Sequence, residues 1–250
     1  MKKIFSLILA IIMIASVAML AGCSTQGGDN ELVMGTNAAF PPYEYYDEDG
    51  ETIIGIDAEI AQAVADKIGM TLTIKDMEFD SLLTAVQSGA VDIVFAGLTV
   101  TDERKESVDF SITYATGIQV IIVPKDSDIK TVDDLDGKVI GVQAGTTGDI
   151  YCTDDYGQEN VKQYANGALA VAALQNAQVD CVVIDNEPAK SFVDANDGLK
   201  ILDTEYVTED YAAAISKENT ELTEKVNAAM EELKADGTID SILAKYIKAE

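Results

Sequence analysis

The chain has 250 residues, with 44 Asp and Glu against 17 Lys and Arg, a formal charge of −27, and neither histidine nor tryptophan. So acidic a field disfavours nucleic acid and anionic lipid surfaces as partners. With no imidazole, the commonest general base and metal ligand is missing, which weighs against triads and histidine-bound zinc; no metal or cofactor is expected.

At the N-terminus, Lys2 and Lys3 precede an apolar run from Ile4 to Leu20 broken only by Ser6 and Ser16. This reads as a secretory leader over residues 1–22 rather than a fold element. Its end, Leu20-Ala21-Gly22-Cys23, resembles the lipobox of bacterial lipoproteins. That resemblance implies lipidation of Cys23, with an uncleaved membrane anchor and an incidental cysteine as the alternative. Each buried acyl methylene contributes roughly 0.8 kcal/mol, so two or three chains hold stably where one does not. Residues 23–30 then form a polar tether, and no later apolar stretch is long enough to span a bilayer.

Beyond the tether, apolar β-rich runs alternate with helical patterns: ELVMGTN, Asp57 to Ile68, TLTIKDM, Ser81 to Ser88, VDIVFAGLT. A second set follows: KVIGVQAG, a helix from about Thr147, VKQYA, a helix from about Ala168 to Ala177, and VDCVVID. Such alternation is the mark of α/β units on largely parallel sheets, and two arrays imply two lobes. The apolar run Tyr114 to Pro124 fits a strand leaving one sheet for the other, and Val207 to Ser216 fits the return. Helices over Glu218–Ala235 and Ile239–Ile247, parted by Asp236-Gly237, pack back on the first lobe. The expected division is lobe 1 over 31–113 and 212–250, lobe 2 over 117–205, with hinges near 114–116 and 206–211.

Arg104 is the chain's single arginine. A guanidinium grips a carboxylate through a planar fork, whereas lysine acts as a point charge, so a lysine-rich chain with one arginine points to a carboxylate held in fixed orientation. Pairing with Asp102 or Glu103 at the surface is the alternative. Gly145-Thr146-Thr147-Gly148 joins a strand to a helix, where free amides favour an anion or form an ordinary capped turn. Asp185 ends VDCVVID, at a sheet's ligand-facing edge, and either accepts an ammonium or caps the helix begun by NEPAK. Phe40 precedes Pro41-Pro42 in a loop and is a candidate exposed ring; Phe79 is a ring or core. The acidic clusters Asp47–Glu51 and Asp133–Asp136 read as solvated loops or helix starts, and Cys152 and Cys181 as a disulfide or two buried thiols.

Six segments in order, GTNAAFPPYEY, IIGIDAEIAQAVADKIG, FDSLLTAVQSGAVDIVFAGLTVTDERKESVDFS, DLDGKVIGVQAGTTGD, VDCVVIDNEPA and MEELKADGTIDSILAKY, resemble the polar amino-acid-binding proteins of ABC importers. The resemblance covers Leu32 to Ile247 and implies the periplasmic-binding-protein fold of type II, two Rossmann-like α/β lobes joined by two hinge strands. By the same resemblance Arg104 and Thr147 would hold a ligand carboxylate. Gly97 and Thr99 would add backbone and hydroxyl contacts, Asp185 would take the ammonium, and Phe40 and Phe79 would sandwich the side chain. The implied function is capture of a free amino acid by a monomeric, lipid-anchored extracytoplasmic protein, for delivery to a permease and its ATPase.

The alternative is a dehydratase on the same fold, which needs a proton donor facing the ligand ring. The side-chain pocket is expected to hold Asn37, Gln143 and Ile184, none of them such an acid, although Glu44 and Glu78 stay open. Asn37 and Gln143 each offer donor and acceptor, which suits a neutral polar amino acid such as glutamine or a cystine-like ligand ahead of basic ones. An inward-turned Glu44 would reverse that order.

Overall fold

The computed structural model describes residues 30–203 and 206–248. The leader, Cys23 and all of the tether but its last residue lie outside the described residues. In chain order the elements are β1 (Glu31–Thr36), β2 (Ala39–Phe40), β3 (Glu44–Tyr46), β4 (Ile53–Ile54), α1 (Ile56–Ile68), β5 (Thr71–Asp76), α2 (Leu82–Gln87), β6 (Ile93–Val94), α3 (Asp102–Ser107) and β7 (Val108–Phe110). Then come β8 (Ala115–Pro124), β9 (Ile140–Gln143), α4 (Thr147–Tyr156), β10 (Val161–Tyr164), α5 (Gly167–Gln175), β11 (Cys181–Asp185), α6 (Asn186–Asp194) and β12 (Leu199–Ile201). The chain closes with β13 (Val207–Tyr211), β14 (Ala214–Ser216), α7 (Thr220–Ala235) and α8 (Thr238–Tyr246).

These make two α/β lobes. The first sheet runs β5-β1-β6-β14-β7, and the second runs β10-β9-β11-β8-β12, with β13 also paired to β8. Where a helix crosses between strands the pairing is parallel, as in β1–β6, β9–β10 and β9–β11. Strands that carry the chain between sheets pair antiparallel, β8 with β11, β12 and β13, and β14 with β6 and β7. Both sheets are therefore mixed rather than largely parallel, because each connecting strand re-enters a sheet without a crossover helix. The return run breaks at Ala212-Ala213 into β13 and β14, so one half serves each sheet.

Local sequence explains the elements that position the cleft. On α1 the buried residues Ile56, Ile60, Ala61, Val64 and Ala65 recur at helical spacing, Asp57 and Glu59 lie in the first turn and Lys67 in the last. Its N-terminus is tied to the preceding loop by Ile56 N–H to Pro42 O (3.1 Å) and Asp57 N–H to Tyr43 O (2.9 Å). The helices α7 and α8 do break at Asp236-Gly237, and α7 and α8 both pack on α1. Cys152 and Cys181 are free thiols, both buried in a core under the second sheet.

The connecting strands are polar inside. Gln119 and Glu209 are buried on β8 and β13, and Tyr211 is fully buried where β13 ends opposite Ala115. The Tyr211 hydroxyl donates to Asp185 Oδ1 across Gly117, where an added Cβ would stand 2.1 Å from Tyr211 Oη and 2.7 Å from Asp185 Oδ1. Gly117→Ala is therefore expected to destabilise the protein by about 1–3 kcal/mol, the usual cost of overpacking. Thermal unfolding checks this, and an unchanged midpoint would show that Tyr211 can move aside.

Candidate functional site

Nine of the ten residues expected at the site line one cavity: Asn37, Phe40, Phe79, Gly97, Thr99, Arg104, Gln143, Thr147 and Asp185, joined by Glu44, Ala96 and Thr146. Residues before β8 and residues after it meet there, so the cavity lies between the lobes. Ile184 is not among its lining residues. It points from β11 into the apolar core, where an added Cβ on Gly167 would stand 2.5 Å from its Cδ1.

Arg104 enters from α3, a short helix capped by Thr101 accepting the Arg104 N–H at 3.1 Å. Asp102 pairs with Lys105 at the surface, whereas Arg104 is buried. Its guanidinium donates to Thr99 O (2.8 Å) and, across the cleft, to Gly145 O (3.1 Å), and lies over the Phe79 ring at 5.7 Å. Burial lowers its pKa and Glu209 opposes that, but a guanidinium stays charged.

At the strand-to-helix turn most of the polar groups have partners. Gly145 N–H donates to Asp149 Oδ2 (3.0 Å), Thr146 N–H to Gln143 O (3.4 Å), and Thr146 Oγ1 accepts from Asp149 N–H (3.2 Å). The Thr147 hydroxyl donates to Glu209 Oε2 at 2.9 Å, as does that of Thr99 at 3.1 Å. Each hydroxyl has one proton, so neither is directed at a ligand carboxylate. The Thr147 and Gly148 amides, in the first turn of α4, have no acceptor within the helix.

Asp185 stands at the N-cap of α6 but makes no side-chain cap bond. Its carboxyl is buried instead between the Tyr211 hydroxyl and the Gln119 amide, whose Nε2 lies 2.9 Å from Oδ2 and 3.0 Å from Glu209 Oε2. Burial, with Glu209 adding to it, pushes Asp185 up to about 7. Asn37 and Gln143 meet across the cleft, but they bond to each other, Gln143 Nε2 to Asn37 Oδ1 at 2.9 Å, while Asn37 Nδ2 donates to Met77 O at 2.8 Å. Phe40 is buried rather than exposed and stacks on Tyr43 at 5.8 Å. Gly97 (φ 53°) lets that ring approach, since a Cβ there would stand 2.8 Å from it.

Glu44 is fully buried on β3, lines the cavity, and neither of its oxygens has a donor among the described residues. Burial first, then Asp57, pushes its pKa well above the ordinary range. Glu78 is exposed and lies outside this cavity. Sequence reading missed Asp57, Gln119, Glu209 and Tyr211. A glutamine inside the apolar run TGIQVIIVP was the one available signal for the buried hinge network.

Two α/β lobes joined by two strands around a cavity lined with one guanidinium, two carboxyls and aromatic rings make a two-lobed binding protein. The chain belongs to the bacterial extracellular solute-binding proteins, family 3, whose model it matches over residues 32–249. It is 34% identical to the arginine-binding extracellular protein ArtP of Bacillus subtilis, with 100% of both chains covered. An ancestral arginine-binding protein solved with arginine is 42% identical, with a TM-score of 0.82 over 87% of this chain and 98% of that one. Another structure of an ancestral arginine-binding protein, with glutamine bound, is 41% identical, with a TM-score of 0.84 over 88% of this chain and 99% of that one. These relatives are binding proteins, and the chain is a binding protein rather than an enzyme.

Two predictions follow from this geometry. Arg104→Lys should cost about 2–4 kcal/mol of amino-acid binding, nearly as much as Arg104→Ala, since a point charge does not replace a fork in a desolvated cleft. Calorimetry with the lysine variant within threefold of wild type would remove Arg104 from the carboxylate site. Asp57 and Asp185 are each raised to about 7, and Glu44 is raised too, so these groups bind protons more tightly folded than unfolded. They favour the fold below their unfolded values, and this support is lost as pH rises from about 4 through about 7. The stability of Glu44→Gln relative to wild type, both without ligand, should therefore rise over that window in urea titrations, and a constant difference would refute it.

Proposed function

We propose that the chain is a lipid-anchored extracytoplasmic receptor that captures a basic amino acid, arginine foremost, and delivers it as a monomer to an ABC permease and its ATPase. The observation that carries the ligand class is Glu44, a carboxyl facing the cavity with no donor to either oxygen. A buried carboxylate without a partner is costly, and a guanidinium or ammonium at the end of a ligand side chain supplies one. Identities of 34% to an arginine-binding protein and 42% to an ancestral one support the same reading.

In this reading Arg104 and the Thr147 and Gly148 amides take the ligand's carboxylate, and Asp185 takes its ammonium. Phe40 and Phe79 flank the side chain, Gly97 and Thr99 lie along its backbone, and Glu44 meets its charged end. Lobe 1 (31–113 with 212–250) carries Arg104 and Glu44, and lobe 2 (117–205) carries Thr147 and Asp185. Closure about 114–116 and 206–211 is then favoured only by a ligand that satisfies both lobes. Anchoring rests on Leu20-Ala21-Gly22-Cys23 after an apolar leader.

A neutral polar amino acid such as glutamine is the second reading. It is favoured by the Asn37–Gln143 amide pair at the cleft and by the ancestral protein solved with glutamine. A thermal-shift screen of the twenty amino acids separates the two, since a ligand at a hundredfold excess over its dissociation constant adds about 2.7 kcal/mol. The expected result is the largest shift with arginine, and Glu44→Gln should abolish the preference of arginine over glutamine. A larger shift with glutamine in the unaltered protein would establish the second reading.

A further inference from the structure

Glu44 does not stand alone. Because the Asp57 N–H bonds to Tyr43 O, the start of α1 is clamped beside β3, and the Asp57 carboxyl lies against that of Glu44. Asp57 is also fully buried, yet it does not line the cavity. Its Oδ2 accepts from Gly97 N–H at 2.8 Å and from the Tyr114 hydroxyl at 2.9 Å. Its Oδ1, like both oxygens of Glu44, has no N–H or O–H donor among the described residues. The charged groups that act most strongly on Glu44 are acids, Asp57 on α1, Asp185 at the end of β11 and Asp76 at the end of β5, and the cation Arg104 lines the same cavity. The hydroxyls of Tyr43, beside it, and of Tyr114, before β8, complete the surroundings.

Two carboxylates pressed together away from water repel, whereas a proton held between them turns the same contact into a hydrogen bond and accounts for Asp57 Oδ1 and one of the two Glu44 oxygens, leaving the other to face the cavity. We propose that Glu44 and Asp57 form a proton-holding charge sensor, which keeps a shared proton until a cationic side chain enters the cavity and then releases it to solvent. Capture of a basic amino acid is thereby coupled to loss of a proton, and Asp57 is a specificity-determining residue that never touches the ligand. The proposal rests on the basic-ligand reading above.

The exchange balances: the O–H bond of the Glu44 carboxyl breaks, its proton leaves as hydronium, and the ionised group pairs with the incoming cation. A guanidinium keeps its own protons throughout. Retaining the proton would leave a dehydrated cation facing a neutral acid. Asp185 also gives up a proton when it meets a ligand ammonium, but it does so for any amino acid. The charge-specific part is therefore the difference between arginine and citrulline, which has the same length and a neutral ureido end.

Calorimetry near neutral pH in two buffers of different ionisation enthalpy counts these protons. The full protein should release about one proton more with arginine than with citrulline, the stoichiometry of a single coupled site. In Asp57→Asn the amide gives Glu44 a permanent N–H donor, so arginine should still bind and that extra proton should vanish. Equal release with the two ligands overturns the proposal, as does an unchanged release with arginine in Asp57→Asn. If Asp57→Asn does not fold, the arginine–citrulline difference decides; if citrulline does not bind, the variant decides. Failure of arginine itself to bind overturns the basic-ligand reading and the sensor together, whereas arginine binding with equal proton release removes the sensor alone.

Discussion

Buried negative charge without enough positive charge to meet it is the constraint on which the cleft is built. Among the described residues Arg104 is the one cation lining the cavity, and Glu44, Asp57, Asp185 and Glu209 are all buried around it. Four ionised carboxylates cannot share one guanidinium in a desolvated space. Each is therefore held by hydroxyl, amide or backbone donors, shares a proton, or waits for a ligand's cationic group. Glu209 takes Thr99, Thr147 and Gln119; Asp185 takes Gln119 and Tyr211; Asp57 takes Gly97 and Tyr114; Glu44 takes none.

The same bonds tie the cleft to the connecting strands. Glu209 lies on β13 and gathers a hydroxyl from each lobe, and Gln119 on β8 joins Glu209 to Asp185. Movement of one lobe against the other must therefore rearrange hydrogen bonds around a single carboxylate. That is a sharper requirement than apolar surfaces sliding, because an orphaned buried carboxylate costs far more than a lost contact. It also explains why Gln119 is tolerated between Ile118 and Val120 in an otherwise apolar stretch of β8.

Much of this was legible in the chain. Alternating β and helical runs give both lobes, Asp236-Gly237 gives the break between the last helices, and the lone arginine marks the cleft. What escaped was set by tertiary contact. The direction of the antiparallel pairings depends on strands re-entering a sheet, which periodicity does not record. The pairing of Asn37 with Gln143, residues far apart in sequence, closes on itself two amides that read separately as groups offered to a ligand. Asp57 looks like an ordinary first-turn acid favouring the helix dipole, and only the clamp between α1 and the Tyr43 loop brings it against Glu44. Ile184 fell on the other side of its strand, a consequence of the two-residue period by which neighbouring side chains face opposite ways.

The order of strands in the first sheet has a consequence for how the molecule is made. β14, residues Ala214–Ser216, lies between β6 and β7, inside the sheet rather than at its edge. The chain before β8 therefore supplies a sheet with a gap in it, and the strand that fills the gap arrives only after the whole second lobe has been synthesised. During synthesis or export the first lobe exposes unpaired strand edges that have no partner yet, while the second, built from one continuous stretch, can complete itself.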